Sequence, residues 1–284
     1  MKNIILLSFA FFYLILSGNS QSVYTCKGTS IPVLTPAEGT TDQKNIWRQQ
    51  FLDWGASHGL GASDILDEAS GAYNCHAYAW HLREGNTNKV WINNATYSPT
   101  GCQPQTHNID TYWTDNCFVQ VCNSSDADKI HYYCGDHSAV QSTVISGKYE
   151  SKWGNWPVIR HDPTNVPYEQ PTSVNYYSST KISGDISNLC SGSRTFMVKN
   201  ISGATYTWTY SNGLSAVGAT NQSSLTVQRS GTMDGDNWVE VQISTPCSTT
   251  PVTNRIYFTV GGPTAIDGIN TEYVMIHCNV VRYK

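Results

Sequence analysis

From residue 182 to 262, apolar and polar residues alternate almost without interruption, and this period of two constrains the fold more than any other feature of the sequence. Each alternating run fits one half-buried β-strand, because successive side chains of a strand point to opposite faces. Turn signals such as Asn212-Gly213 separate the runs. About six short antiparallel strands around a central Trp208 predict a β-sandwich over 182–262. The runs are Phe196 to Val198, Tyr206 to Tyr210, Leu225 to Val227, Val239 to Ile243 and Ile256 to Val260.

The chain before residue 170 follows a different pattern. Apolar residues at helical spacing predict a helix over 42–54, and Asn74 and Gly85 are suitable N-cap and C′ residues for a second helix over 75–84. Helices followed by an antiparallel sheet predict an α+β domain over 21–170. The strand candidates of that domain are 89–92, 118–121, 137–142, 149–153 and 158–161.

Composition changes near residue 170, which leads us to assign 171–181 to an exposed linker. Residues 263–284 form a C-terminal tail with one strand-like run at 273–281, which we expect to add an edge strand. Every block rich in Cys and His lies before the linker. We therefore expect the sandwich to be dispensable for catalysis, and a chain ending near Thr172 to keep its fold.

Residues 1–20 have the pattern of a secretory signal peptide, with Lys2 before an apolar run from Ile4 to Leu16 and small residues before Gln21. The alternative, a membrane anchor, is less consistent with the length of the run, because spanning a bilayer takes roughly 20 apolar residues. The sequence thus predicts a secreted protein, extracellular or periplasmic, with no membrane span after cleavage. A net charge of −4 argues against a nucleic-acid partner.

Nine cysteines in an exported chain predict disulfides and leave at least one thiol over. We predict that Cys75 is the free one, although a bridge from Cys75 to Cys26 or to a cysteine of the insertion described below is an alternative. A bridge from Cys190 to Cys247 is left open, since the strand ends that carry them could lie too far apart. A loop-rich insertion is expected to form a stapled flap through its own cysteines, which are Cys102, Cys117, Cys122 and Cys134.

Cys75 falls in the first turn of the second predicted helix, where the helix dipole favours a thiolate, and Gly71 before it indicates a close backbone approach. His137 opens a strand later in the chain. A cysteine on a helix and a histidine on a following strand can act as nucleophile and general base. We expect a ring nitrogen of His137 about 3 to 4 Å from the sulfur.

Three blocks, at 74–79, 136–140 and 151–161, resemble secreted bacterial members of the papain-like hydrolases of the NlpC and CHAP type. The resemblance covers roughly 40–170. It implies a papain-like α+β fold, amide cleavage through a thioester, and a third polar residue on a neighbouring strand. His161 is our first choice for that residue, followed by Ser151 and then Glu150.

The sandwich resembles the PKD-like and immunoglobulin-like modules of secreted bacterial proteins, through the sequence from Ala204 to Trp208 and the later Cys247. Such a module suggests cell-surface or glycan contact. The expected substrate is a peptide, either a cell-wall peptide or a protein. The competing hypothesis is a surface-binding or adhesion protein whose papain-like domain has lost catalysis.

Other residues have more modest interpretations. Tyr73 is a candidate donor to the oxyanion, beside the backbone N–H of Cys75. We expect His76 and His81 to be surface or hydrogen-bonded core histidines. A zinc site built from Cys75, His81 and His137 is a weak alternative because no zinc-binding spacing supports it, and we expect no cofactor. Packing or rim positions are expected for three further residues, Lys152, Trp153 and Trp156.

Overall fold

The computed structural model describes residues 21–92, 108–168, 172–187, 189, 192–230 and 235–261, together with the backbone of 273–276 and 279–282. The predicted signal peptide and the cysteines at 102, 190 and 278 lie outside the described residues. No helix in the described ranges is both long and apolar enough to cross a membrane.

In the first part of the chain, an antiparallel sheet has one main helix packed on each of its two faces. A hairpin precedes them and pairs with a short later strand, β4. The elements up to residue 92 are β1 (Gln21–Tyr24), β2 (Ser30–Leu34), α1 (Thr41–Ala56), β3 (Ile65–Asp67), α2 (Cys75–Trp80) and β4 (Trp91–Ile92). Those that follow are α3 (Thr111–Thr114), β5 (Phe118–Val121), β6 (Lys129–Tyr132), β7 (His137–Gln141), β8 (Tyr149–Lys152), β9 (Val158–His161) and β10 (Val174–Ser179).

Seven strands form the main sheet in the order β3-β9-β8-β7-β6-β10-β5, and every neighbouring pair is antiparallel. Because side chains alternate along each strand, the sheet has two buried faces. Phe51 of α1 packs on one face with Ile130 and Ala139, and Trp80 of α2 packs on the other with Val140. The helices and strands predicted for 21–170 are therefore present, although α2 ends at Trp80 rather than at residue 84. The additional strands are β1, β2, β3, β6 and β10.

The assignment of 171–181 to an exposed linker is wrong. Strand β10 occupies most of that segment and lies between β6 and β5, hydrogen-bonded to both. Tyr177 is buried in the core on the α2 face. The polar Ser and Thr residues of the segment resemble a linker, but Val and Tyr give it the composition of a strand. A chain ending near Thr172 would lack this strand, so the structure does not support the expected independent fold.

The second part of the chain is the predicted β-sandwich. Its strands are β11 (Ser193–Met197), β12 (Thr205–Tyr210), β13 (Leu214–Ala216), β14 (Ser224–Arg229), β15 (Gly235–Ser244) and β16 (Val252–Val260). They form two sheets, β11-β14-β13 and β12-β15-β16. Phe196, Trp208 and Phe258 are buried between them. The apolar residues of the alternating runs thus point into the space between the two sheets, as the period of two predicts.

The sandwich and the main sheet share a core. Val119 and Val121 of β5, with Ala127, pack into the sandwich interior. A disulfide joins Cys122 to Cys247, with a Cα–Cα distance of 5.3 Å. The two parts are therefore not separated by a flexible spacer.

The disulfides answer one question that the sequence left open and correct one prediction. Cys247 pairs with Cys122, so the bridge from Cys190 to Cys247 does not form. Cys117 pairs with Cys26, at a Cα–Cα distance of 5.8 Å. Both Cys117 and Cys122 thus connect to distant parts of the chain rather than closing a local flap. Their positions at the two ends of β5, next to the N-terminal hairpin and the sandwich, explain this pairing.

The tail forms a separate two-stranded hairpin of β17 (Tyr273–Ile276) and β18 (Asn279–Arg282). Within the described residues it pairs with no other strand. The run at 273–281 is therefore two strands rather than one added edge strand.

Candidate functional site

The start of α2 is fixed by its cap and by a close backbone approach. Asn74 Oδ1 accepts a hydrogen bond from the backbone N–H of Ala77 at 3.0 Å, and its Nδ2 donates to the carbonyl of Ile92 at 2.8 Å. A Cβ on Gly71 would lie 2.8 Å from the carbonyl oxygen of Ala37, so only glycine fits there. These contacts hold the backbone on which Cys75 sits.

Cys75 is the free cysteine of the described chain, as predicted. Its side chain is buried, with 6% of the residue exposed. The sulfur lies 4.0 Å from the backbone carbonyl oxygen of Asp136, the residue that precedes β7. Cys75 is therefore placed at the N-terminal end of the strand that carries His137.

His76 is a core histidine with both ring nitrogens hydrogen-bonded, as expected. Its Nε2–H donates to Asp136 Oδ1 at 3.0 Å, and its Nδ1–H donates to Ser138 Oγ at 2.9 Å. Ser138 also accepts from the indole N–H of Trp80 at 2.9 Å. The sequence pattern gave no sign of this network, because the partners come from the turn before β7 and from its α2 face.

The pKa of His76 is raised to about 10. Burial opposes the charged imidazolium, but the negative charges of Cys75 and Asp136 and their hydrogen bonds outweigh it. Asp136 reaches His76 from a left-handed backbone conformation with φ of 46°, which aspartate tolerates better than most residues. The arrangement favours a positive imidazolium next to the Cys75 sulfur.

His137 faces the other way on β7. Ser138 and Val140 contact α2, whereas His137 stacks on the Tyr168 ring with a centroid distance of 4.2 Å and lies 5.1 Å from the Tyr132 ring. Neither of its ring nitrogens has a hydrogen-bond partner among the described residues, and the residue is fully buried. Burial, together with the charges of His161, His76 and His131, holds the pKa of His137 well below its usual range.

Tyr168 stacks on His137 and is influenced by the charge of Cys75. Its pKa is raised well above the usual value by burial and by the negative charges of Cys75 and Asp136. The ring that stacks on His137 therefore belongs to a tyrosine within electrostatic range of the Cys75 sulfur. Neither ring nitrogen of His137 hydrogen-bonds the Cys75 sulfur, so the expected approach of 3 to 4 Å is not observed, because His137 points to the sheet face opposite α2.

Two of the three candidates for the third residue lie together. Ser151 Oγ donates to His161 Nε2 at 2.7 Å, and His161 Nδ1–H donates to the carbonyl of Asp162 at 2.7 Å. Trp153 donates its indole N–H to Ser151 Oγ at 2.7 Å. Burial lowers the pKa of His161 to about 4. His161 and Ser151 lie on the same sheet face as His137.

Glu150 lies on the opposite face, in an ionic network. Its carboxylate accepts from Ser142 Oγ at 2.8 Å and from Arg160 at 3.2 Å, and Arg83 lies 3.9 Å away. These partners leave Glu150 directed away from His137. Tyr73, the candidate oxyanion donor, donates its hydroxyl to Asp67 at 2.9 Å.

The structure buries Lys152 completely, which excludes the rim position and leaves the packing position of the two that were expected. Its Nζ donates to the carbonyls of Ser70 at 2.9 Å and Gly154 at 2.7 Å, and to that of Trp156. The charge of Cys75 acts on this ammonium. Lys152 is thus part of the site, and its place in the block at 151–161 was the only sequence signal for it.

No group of three or more His, Cys, Asp or Glu side chains in the described ranges is arranged to hold a metal ion. His81 lies just after α2, and its Nε2 hydrogen-bonds Asn88 at 2.7 Å.

Comparison with known families divides the chain at β10. Residues 176–256 match the PKD-like domain family, in agreement with the β-sandwich. Residues 64–178 match a domain of unknown function, DUF7689, and this range contains Cys75, His76, Asp136, His137, Lys152 and His161. Neither match corresponds to the papain-like family. No curated protein and no solved structure matches the chain.

Proposed function

We propose that this protein is a secreted cysteine hydrolase that cleaves amide bonds, with a papain-like domain of the NlpC and CHAP type and Cys75 as its nucleophile. The observation that carries the proposal is a free thiol beside a charged histidine–aspartate pair, His76 and Asp136. A neighbouring imidazolium stabilises a thiolate, the reactive form of cysteine. The disulfides of the chain are consistent with an oxidising, extracellular location.

His137 is the proposed general base. His76 bonds Asp136, Ser138 and the Cys75 sulfur as a charged imidazolium, so it is the partner of the thiolate and has no lone pair with which to accept a proton. Among the described residues no partner occupies either ring nitrogen of His137, so both can accept a proton, although burial makes this neutral ring a weak base. His161, through its bond to Ser151, is the proposed third residue on the His137 face.

The proposed reaction has two steps. His137 takes the thiol proton as the Cys75 sulfur bonds to the amide carbonyl carbon, and the C–N bond then breaks as the imidazolium gives that proton to the departing amine. Water, deprotonated by His137, attacks the resulting thioester, and the C–S bond breaks to release the acid and restore the thiol. The backbone N–H of Cys75 is the proposed oxyanion donor. The proposed substrates are cell-wall peptides or proteins, with the sandwich contacting a cell surface or glycan.

The test uses the full oxidised chain. We expect iodoacetamide to label Cys75 in the folded protein, and amine release from casein or from peptidoglycan stem peptides to be lost in Cys75→Ala. His137→Gln should lower the rate by about 10²-fold or more. His58→Gln is the matched control, because His58 is exposed and stacks on Trp54 near the end of α1. Amine release that survives Cys75→Ala would refute the proposal.

A second candidate function is surface binding by a domain without catalysis. The observation that favours it is burial: Cys75 is 6% exposed and His137 is fully covered, so a substrate would need the site to open. This candidate predicts no labelling of Cys75 in the folded protein and no amine release. It also predicts that the full chain binds insoluble cell-wall material equally well with Cys75→Ala.

A further inference from the structure

Lys152 is a fully buried cation whose partners are backbone carbonyls. Its Nζ donates to Ser70, Gly154 and Trp156, and no carboxylate among the described residues lies within ion-pair distance of it. Burying an ammonium without a counter-ion is costly, and hydrogen bonds offset only part of that cost. A hydrophobic residue of similar size would fill the same space without this penalty. The lysine is therefore poorly explained by packing.

The three carbonyls belong to two segments that meet at the site. Ser70 lies in the segment that leads into Cys75, and Gly154 and Trp156 lie in the turn between β8 and β9. A backbone hydrogen bond from Ser70 N–H to the carbonyl of Asn155, at 3.1 Å, joins the same two segments. On its other side, Ser70 Oγ donates to Glu38 at 2.8 Å. Lys152 thus fixes the segment that sets the position of the cysteine.

The charged and titratable groups around Lys152 come from several elements. Burial is the largest influence and lowers its pKa to about 7, while Cys75, Glu38 and Asp67 act in the opposite direction and Lys89 adds to the lowering. The ammonium also lies 5.1 Å from the Tyr73 ring centroid. Among the groups that favour the charged form of Lys152, Cys75 has the largest influence.

We propose that Lys152 is a positioning residue for Cys75: it ties the segment before the cysteine to the β8–β9 turn and holds a positive charge within range of the sulfur. This inference rests on the proposed function, in which Cys75 is the nucleophile. Below neutral pH the ammonium adds to His76 in favouring the thiolate. Above neutral pH the lysine loses its charge, and that contribution disappears.

The experiment measures the rate of Cys75 alkylation by iodoacetamide from pH 5 to 10 in the folded full chain. We expect Lys152→Met to slow alkylation by about tenfold at pH 6 and to have little effect at pH 9. Lys129→Met is the matched control, because Lys129 is equally buried on the same sheet face but its charge partner is Glu84. A folded Lys152→Met protein with the wild-type profile would overturn the inference.

A second measurement does not depend on the folding of Lys152→Met. The titration of Lys152 can be followed by NMR of ¹³C-labelled lysine in the wild type and in Cys75→Ala. Loss of the thiolate should move its midpoint to lower pH, and an identical midpoint in both proteins would overturn the inference. Neither measurement requires amide cleavage. If Lys152 and Cys75 affect each other in these measurements but the protein does not cleave amides, only the proposed function is rejected. If the protein cleaves amides but Lys152 and Cys75 do not affect each other, only the role of Lys152 is rejected.

Discussion

Three buried histidines, one on α2 and two on the main sheet, are driven to opposite ionisation states by their neighbours. His76 is held charged by Asp136 and the Cys75 sulfur, whereas burial and nearby positive charges keep His137 and His161 neutral. A charged group that stabilises the thiolate and a neutral group that accepts its proton are two different requirements of cysteine catalysis. In this site they fall to different residues.

Replacing Asp136 by Asn should weaken the reactivity of Cys75. Asparagine also tolerates a left-handed backbone and can still accept from His76, but it removes the negative charge that keeps the ring protonated. We expect alkylation of Cys75 at pH 7 to slow by about tenfold. The control is Asp126→Asn, a buried aspartate at the sandwich contact. An unchanged alkylation rate would show that Asp136 does not influence the reactivity of Cys75.

His161 should make the fold sensitive to acid. Its pKa falls from the ordinary 6.5 to about 4 on folding, so the unfolded chain binds the proton more readily between those values. The stabilising contribution is present above pH 6.5 and is lost as pH falls through 4. Its size is at most about 3 kcal/mol. Urea denaturation at pH 7 and pH 4 should show a smaller pH-dependent loss in His161→Gln than in the wild type or in His58→Gln.

Helix α2 depends on its cap because it is less than two turns long. A helix of six residues has little stability of its own, so packing and capping must fix it. Asn74 serves both α2 and β4 through three hydrogen bonds, since its Oδ1 also accepts from the backbone N–H of Ile92 at 3.3 Å.

Asn74→Ala should therefore destabilise the protein more than an ordinary cap substitution. We expect a loss of about 2 to 3 kcal/mol, since the change leaves a buried carbonyl and a buried N–H unpaired. Thr40→Ala removes the exposed cap of α1 and should cost about 1 kcal/mol. Chemical denaturation of both variants tests the comparison. Equal losses would show that the bond to Ile92 contributes nothing.

The sequence predicts elements better where their residues alternate or carry caps. The helix at 42–54, the N-cap Asn74 and the sandwich strands are of this kind. Strand β6 is not, because all four of its residues are buried and Lys129 and His131 face α2. For the site, the sequence identifies Cys75 as the free thiol. The sheet face taken by His137 and the reach of Asp136 depend on the turn before β7, which has no local sequence signature.

The main sheet and the sandwich are packed together as one unit with a shared core. Strand β5 contributes Val119 and Val121 to the sandwich core, and Lys199 forms an ion pair with Asp128 at 2.7 Å. Any role of the sandwich in surface attachment is thus mechanically linked to the sheet that carries the cysteine.

The double variant Cys122→Ser with Cys247→Ser should be less stable than the wild type by roughly 2 to 5 kcal/mol, since the bridge closes a long loop in the unfolded chain. Thermal denaturation, with and without reductant, measures the loss. Reductant should lower the melting temperature of the variant less than that of the wild type. A melting temperature equal to that of the oxidised wild type would mean that the shared core alone holds the two parts together.

The Cys122–Cys247 bridge also determines what a protease can achieve. The two cysteines are 125 positions apart, and the segment between them contains β6 to β15, including the site strands β7 and β8. A single nick in any loop of that segment leaves both fragments covalently attached, so the protein migrates as one species until it is reduced. In a protease-rich extracellular setting, a nicked molecule can therefore stay assembled.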